Sequence, residues 1–165
     1  MKKLVAIIFL LLHRFLSSAS TSHARPTGSP PVITFSYAQG KIRLGDIWRI
    51  YISANDPDGD MSKIFCVIEQ PGVGRYRPEV IYLKKEMTRK FSGYLHLSTT
   101  SFRDFWGVTL TLTLTIEDRQ GNESQPVLFP LEFNGEELKP LPTDMEKDLE
   151  RPISAIPIEL TRPLF

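Results

Sequence analysis

A single cysteine, Cys66, occurs in 165 residues, so no intrachain disulfide forms and a disulfide-stapled scaffold is excluded. Histidine is almost as scarce, with only His13, His23 and His96. Beyond residue 24 only Cys66 and His96 remain, and one thiol with one imidazole does not supply the four nitrogen or sulfur ligands of a structural zinc centre. No apolar run reaches the roughly 20 residues that a bilayer-spanning helix requires; Leu4–Leu12 is stopped by His13 and Arg14. Neither sign of charge dominates, since 20 Lys+Arg face 19 Asp+Glu. Ten Gly and thirteen Pro fall without a strict period, which excludes a collagen-like chain. What is present, 41% hydrophobic and 24% charged residues, suits one globular domain held by its own core.

The first segment reads as an address. Met1-Lys2-Lys3 gives a positive start, Leu4–Leu12 an apolar run, and Ser17–Ala24 a small, polar close, the three-part layout of a secretory signal peptide. Ser22 and Ala24 set small residues at the spacing a signal peptidase uses, so residues 1–24 are expected to be removed, with 25–31 as a linker. The mature protein is then exported, periplasmic or extracellular, with no transmembrane span. Removal of Lys2, Lys3 and Arg14 leaves 17 basic against 19 acidic side chains, a net charge of −2. The densest basic stretch, Lys84–Lys90, is interrupted by Glu86 and has no interleaved aromatics, so nucleic acid is not expected as a partner. His96 remains as the single imidazole of the mature chain. A Ser/His/Asp set needs a base oriented by a carboxylate beside an activated nucleophile, and neither Ser92 nor Ser98 is marked as one. No glycine loop of the phosphate-cradling kind is present. The protein is therefore expected not to be an enzyme, and Cys66 to be a small apolar core residue.

Period two runs through residues 32–134. Val108, Leu110, Leu112, Leu114 and Ile116 alternate with Thr109, Thr111, Thr113, Thr115 and Glu117, a strand with one buried and one wet face. Trp48, Ile50, Ile52 and Ala54 alternate with Arg49, Tyr51 and Ser53, and Phe91, Gly93, Leu95 and Leu97 with Ser92, Tyr94, His96 and Ser98. Val32–Tyr37, Ile64–Glu69, Val80–Leu83 and Val127–Phe133 complete seven strands. Turn signals such as Asp58-Gly59, Pro71-Gly72, Gly121-Asn122 and Asn134-Gly135 separate them. The pattern predicts an all-β, two-sheet antiparallel sandwich of immunoglobulin type. Pro130 lacks a ladder donor, which predicts that the last strand lies at a sheet edge or carries a bulge.

Two stretches carry a resemblance. Ala54-Asn55-Asp56-Pro57-Asp58-Gly59-Asp60, closing the second strand, and Thr115–Ser124, joining the last two, resemble loops of bacterial immunoglobulin-like, PKD-like and cadherin-like modules. The resemblance covers roughly residues 30–134 and implies that the two loops fall between strands B and C and strands F and G, sharing one pole of the sandwich. The chain departs from tandem cadherins in having one module and an incomplete set of their calcium-ligand motifs, and from antibody domains in lacking paired cysteines.

On that pole, Asp56, Asp58, Asp60 and Asp118, with Glu123, are candidate calcium ligands, since calcium takes six to eight hard oxygens. The plainer reading is that Asp56-Pro57-Asp58-Gly59 is a type I turn in its own right. A second candidate is an aromatic platform for a glycan, drawn from Tyr94, Phe105 and Trp106, with Tyr76 and Tyr82 nearby; the alternative is that Phe102, Phe105 and Trp106 plug the end of the core. Residues 135–165 form a Pro-rich extended tail in which Thr143-Asp144-Met145-Glu146 reads as a capping box and Ile156, Ile158 and Leu160 alternate with Pro157 and Glu159. The tail folds back along a sheet edge of its own domain, offers a strand to a partner, or stays loose. These features predict a non-catalytic exported module for protein–protein interaction, adhesion or envelope assembly, with another envelope or extracellular protein as partner. The alternative is a calcium- or carbohydrate-binding accessory domain.

Overall fold

The computed structural model describes residues 27–99, 103–135, 137 and 147–161. The leader at 1–24 and the capping-box motif at 143–146 lie outside them. The seven strands read from the sequence appear as β1 (Val32–Ala38), β3 (Ile47–Asn55), β4 (Met61–Gln70), β6 (Glu79–Tyr82), β7 (Lys90–Ser98), β8 (Thr109–Asp118) and β9 (Val127–Phe133). Three short strands join them: β2 (Lys41–Ile42), β5 (Gly74–Arg75) and β10 (Pro152–Ala155). The only helical elements among the described residues are 3₁₀ turns of three or four residues.

One sheet has the order β1-β3-β7-β10 and the other β2-β9-β8-β4-β5, with β6 also on β4. The leucines of the threonine-rich strand are the reason the sheets face one another. Leu110, Leu112, Leu114 and Ile116 are at most 1% exposed and meet Trp48, Ile50, Ile52, Leu95 and Leu97 of the opposite sheet in one core. Each such side chain contributes about 1.5–3 kcal/mol by leaving water. The alternation thus produces an immunoglobulin-like sandwich, with two departures from the antiparallel expectation: β2 runs parallel to β9 and β10 parallel to β7. Both short strands arrive from outside the hairpin ladder, one by a switch between sheets and one from the tail, so hairpin geometry does not set their direction.

The switch lies at Gln39-Gly40, where the chain leaves β1 in one sheet and enters β2 in the other. The indole Nε1 of Trp48 holds it by donating to the Gln39 carbonyl at 2.8 Å. β2 also means that β9 is not a bare edge, contrary to the expectation drawn from Pro130. Glu132 N donates to Gly40 O at 2.9 Å, so alternate residues of β9 aim their N–H groups at that side. β2 pairs only with Glu132 and Phe133, and Pro130, two residues earlier, faces a stretch it does not cover, where a missing donor costs nothing.

Tyr51 and Ser53, read as a wet face, are buried. β1 places Tyr37 beside Tyr51, and the turn Lys147–Glu150 packs against β7 and β3 with Leu149 only 3% exposed. The tail then runs along β7. Tyr94 N donates to Arg151 O at 2.9 Å and Ile156 N to His96 O at 2.8 Å. Gly93 makes the approach possible, because a Cβ there would lie 2.4 Å from Arg151 O and 2.9 Å from Ile153 Cγ1.

Cys66 is fully buried, and burial pushes its thiol up to about 12. Because the thiolate is the nucleophile, Ellman's reagent at pH 8 is expected to leave the native protein unmodified and to titrate one thiol in denaturant. Stoichiometric reaction of the native protein within minutes would show the core to be open at β4.

Candidate functional site

Two loops meet at the pole where β3 ends, β4 begins and β8 ends, and they are built alike. Asp56-Pro57-Asp58-Gly59-Asp60 and Asp118-Arg119-Gln120-Gly121-Asn122 share the pattern Asp-x-x-Gly-Asp/Asn. In the first, Asp56 Oδ1 accepts from Asp58 N at 2.9 Å and Oδ2 from Asp60 N at 3.4 Å. In the second, Asp118 Oδ1 accepts from Gln120 N at 2.8 Å and from Asn122 N at 2.9 Å, and Oδ2 from Asn122 Nδ2 at 2.6 Å. Each aspartate bends its loop by gathering the N–H groups two and four residues on. Glycine then takes the positive φ the bend requires, +76° at Gly59 and +86° at Gly121.

Pairing of β4 with β8 brings the loops together, and Arg119 N donates to Asp60 O at 3.0 Å. Carboxylate oxygens of Asp56, Asp60 and Asp118 consequently lie within 4.8 Å of one another. Asp56 is 2% exposed and Asp118 fully buried. Asp60 is half-buried, yet its Oδ1 is closed off from solvent and has no hydrogen-bond partner. Burial raises the Asp60 carboxyl above its ordinary value of 3.8; the Gln120 amide, donating to Oδ2 at 3.3 Å, opposes that rise, while Asp56 and Asp118 add to it. Among the described residues no lysine or arginine forms an ion pair with any of the three. Hydrogen bonds do not exhaust a carboxylate's lone pairs, so the three offer a converging set of hard oxygens.

Asp58, predicted beside them, stands apart. At the third position of its loop it points outward, and its Oδ2 accepts from Ser29 N at 2.6 Å. Glu123 is exposed and lies outside the group. Arg89 braces the first loop through its carbonyls, donating to Pro57 O at 2.7 Å and Asp58 O at 3.4 Å. The second loop holds the incoming chain: Asn122 Nδ2 donates to Thr27 O at 2.8 Å, and Thr27 Oγ1 donates to Gln120 Oε1. Gln120, Thr27 and Ser29 are not singled out by the sequence, and Asn122 is marked there only as a turn residue, although the repeated Asp-x-x-Gly-Asp/Asn pattern gives it the place that Asp60 has in the first loop.

The proposed platform does not assemble. Phe105 is fully buried and meets Phe133 edge-on at 6.2 Å and 87°, as a plug of the core does. Trp106 is 64% exposed at the opposite pole from the acidic loops, with its ring over Gly135. Tyr94 lies on the outer face of the first sheet in a series with Tyr37, Tyr51 and His96, whose successive interplanar angles are 34°, 55° and 59°. Such tilted rings present no common plane for a sugar. His96 has its Nδ1 buried and without a hydrogen bond among the described residues, so no carboxylate among them orients the ring through that nitrogen.

No protein-family model matches the chain, and no curated protein matches it. Among solved structures it is similar to the PKD domain of an M14-like peptidase from Thermoplasmatales archaeon SCGC AB-540-F20, at 16% identity and a TM-score of 0.42, covering 66% of this chain and 99% of that one. It is also similar to a CARDB domain from Pyrococcus furiosus, solved in complex with di-metal ions, at 8% identity and a TM-score of 0.36, covering 65% of this chain and 93% of that one. No helix of the described residues is long and apolar enough to cross a membrane.

Proposed function

We propose that the protein is a non-catalytic β-sandwich module whose loop pole holds a hard divalent cation of the calcium class on Asp56, Asp60 and Asp118. The supporting observation is the closed-off Oδ1 of Asp60, a charged oxygen without a donor beside two further carboxylates. Three like charges at this spacing destabilise the fold unless something positive lies between them, and carboxylate oxygens are the ligands calcium prefers. In this reading the chain is an exported accessory module, meets calcium outside the cytoplasm, and serves an envelope or extracellular protein.

The test is a reversal of sign. In chelator, Asp60→Asn is expected to melt at or above the parent, because it removes one of three repelling charges. In millimolar calcium the parent is expected to rise, by about 2.7 kcal/mol at 100 times Kd, while the variant stays where it was. A parent melt indifferent to calcium, or a variant that gains the same shift, sinks the reading. Acidity supplies an independent check. The raised Asp60 carboxyl binds its proton more tightly in the folded than in the unfolded chain. Its contribution to stability is therefore fully present below 3.8, the ordinary value, and is lost as pH rises through the raised one. Calcium competes with that proton, so its affinity should weaken on acidification through the same window.

A further inference from the structure

We propose that residues 147–161 form an exchangeable strand, and that two copies of this chain pair by each seating the segment on the other's β7 edge. The segment is a separable piece of the fold. All other strand pairings among the described residues lie within 32–133, and β10 pairs with β7 alone. Its hold is a set of apolar knobs: Leu149 and Ile156 are buried, and Ile153, Ile158 and Leu160 pack against the core. Beyond the bonds to β7, polar ties reach the β4–β5 end, where Gln70 Nε2 donates to Thr161 O at 3.0 Å and Thr161 N to Tyr76 Oη at 2.8 Å. The Gly93 slot is shaped to this backbone and to Ile153, which makes a second copy's identical segment the occupant that fits. Covalent linkage does not dictate which copy supplies it. Thirteen residues, 134–146, separate Phe133 from the segment and reach about 43 Å when extended, more than the width of a domain of ~100 residues. Exchange then replaces one set of contacts with an identical set and forms a closed two-fold pair.

Ala155 and His96 are register partners, so cysteines at these positions fall within disulfide reach, and buried Cys66 does not compete. Full-length His96→Cys and Ala155→Cys, mixed and oxidised, are expected to give a disulfide-linked dimer holding one chain of each. Its share should rise with protein concentration, alongside a species of twice the monomer mass in the unsubstituted protein. The doubly substituted chain is the control for geometry. If it closes its disulfide within one molecule while the mixture stays monomeric at every concentration, exchange is overturned. If it does not close, the docked segment is absent and the proposal fails with it. Neither result bears on the cation pole, which lies on other loops.

Discussion

Gly93→Val is expected to expel the C-terminal segment. The first carbon of the new side chain lands 2.4 Å from the Arg151 carbonyl oxygen, a backbone atom that no rotamer change can move aside. Overpacking a core position commonly costs about 1–3 kcal/mol. Here undocking also exposes the apolar area covered by Leu149, Ile153 and Ile156, offset by the freedom the segment regains. A net loss on the order of 3 kcal/mol follows, which lowers the melting temperature by about 10 °C for a chain of this size. Limited chymotrypsin digestion should then cut after Leu149, which docking buries, in the variant before the sandwich itself is touched. A variant that melts like the parent, with this site protected, would show that the slot yields.

Trp48→Ala is expected to cost more. The indole is fully buried and also ties the sheet switch through the Gln39 carbonyl. Truncating a buried tryptophan costs about 3–5 kcal/mol, and loss of its hydrogen bond adds about 1 kcal/mol. Trp48→Phe keeps most of the apolar contact and should lose only about 1–2 kcal/mol, the hydrogen bond and a small void. The denaturant midpoint should fall in that order with an unchanged slope. Equal losses in the two variants would mean that the hydrogen bond, and not the packing, holds the switch.

Much of the fold is legible in the sequence because period two reports directly which side chains share a face. Leu110, Leu112, Leu114 and Ile116 are buried as their alternation with threonine requires, and Trp48, Ile50, Ile52 and Ala54 likewise. Periodicity does not report whether the other face is covered, so Tyr51 and Ser53 were misread: their cover comes from β1 and from a turn about 100 residues away. β2 and β5, of two residues each, are too short to carry a period, and β10 is selected by the slot at Gly93 and not by its own pattern. At the pole, residue type pointed to Asp56, Asp60 and Asp118, which converge. It pointed equally to Asp58, because composition is blind to the outward turn of a loop's third residue. Phe105 and Trp106 adjoin in sequence, but the 3₁₀ turn sends one into the core and the other into water.

The parallel setting of β2 against β9 bears on tension. Tug the sandwich at Val32 and at Phe133, and the two strands are drawn in opposite senses along their common axis. The bonds from Glu132 N to Gly40 O and from Asn134 N to Ile42 O are then strained together, in shear, and must break at once instead of unzipping singly. Such a latch gives way at a higher force than a pair of strands peeled apart one bond at a time.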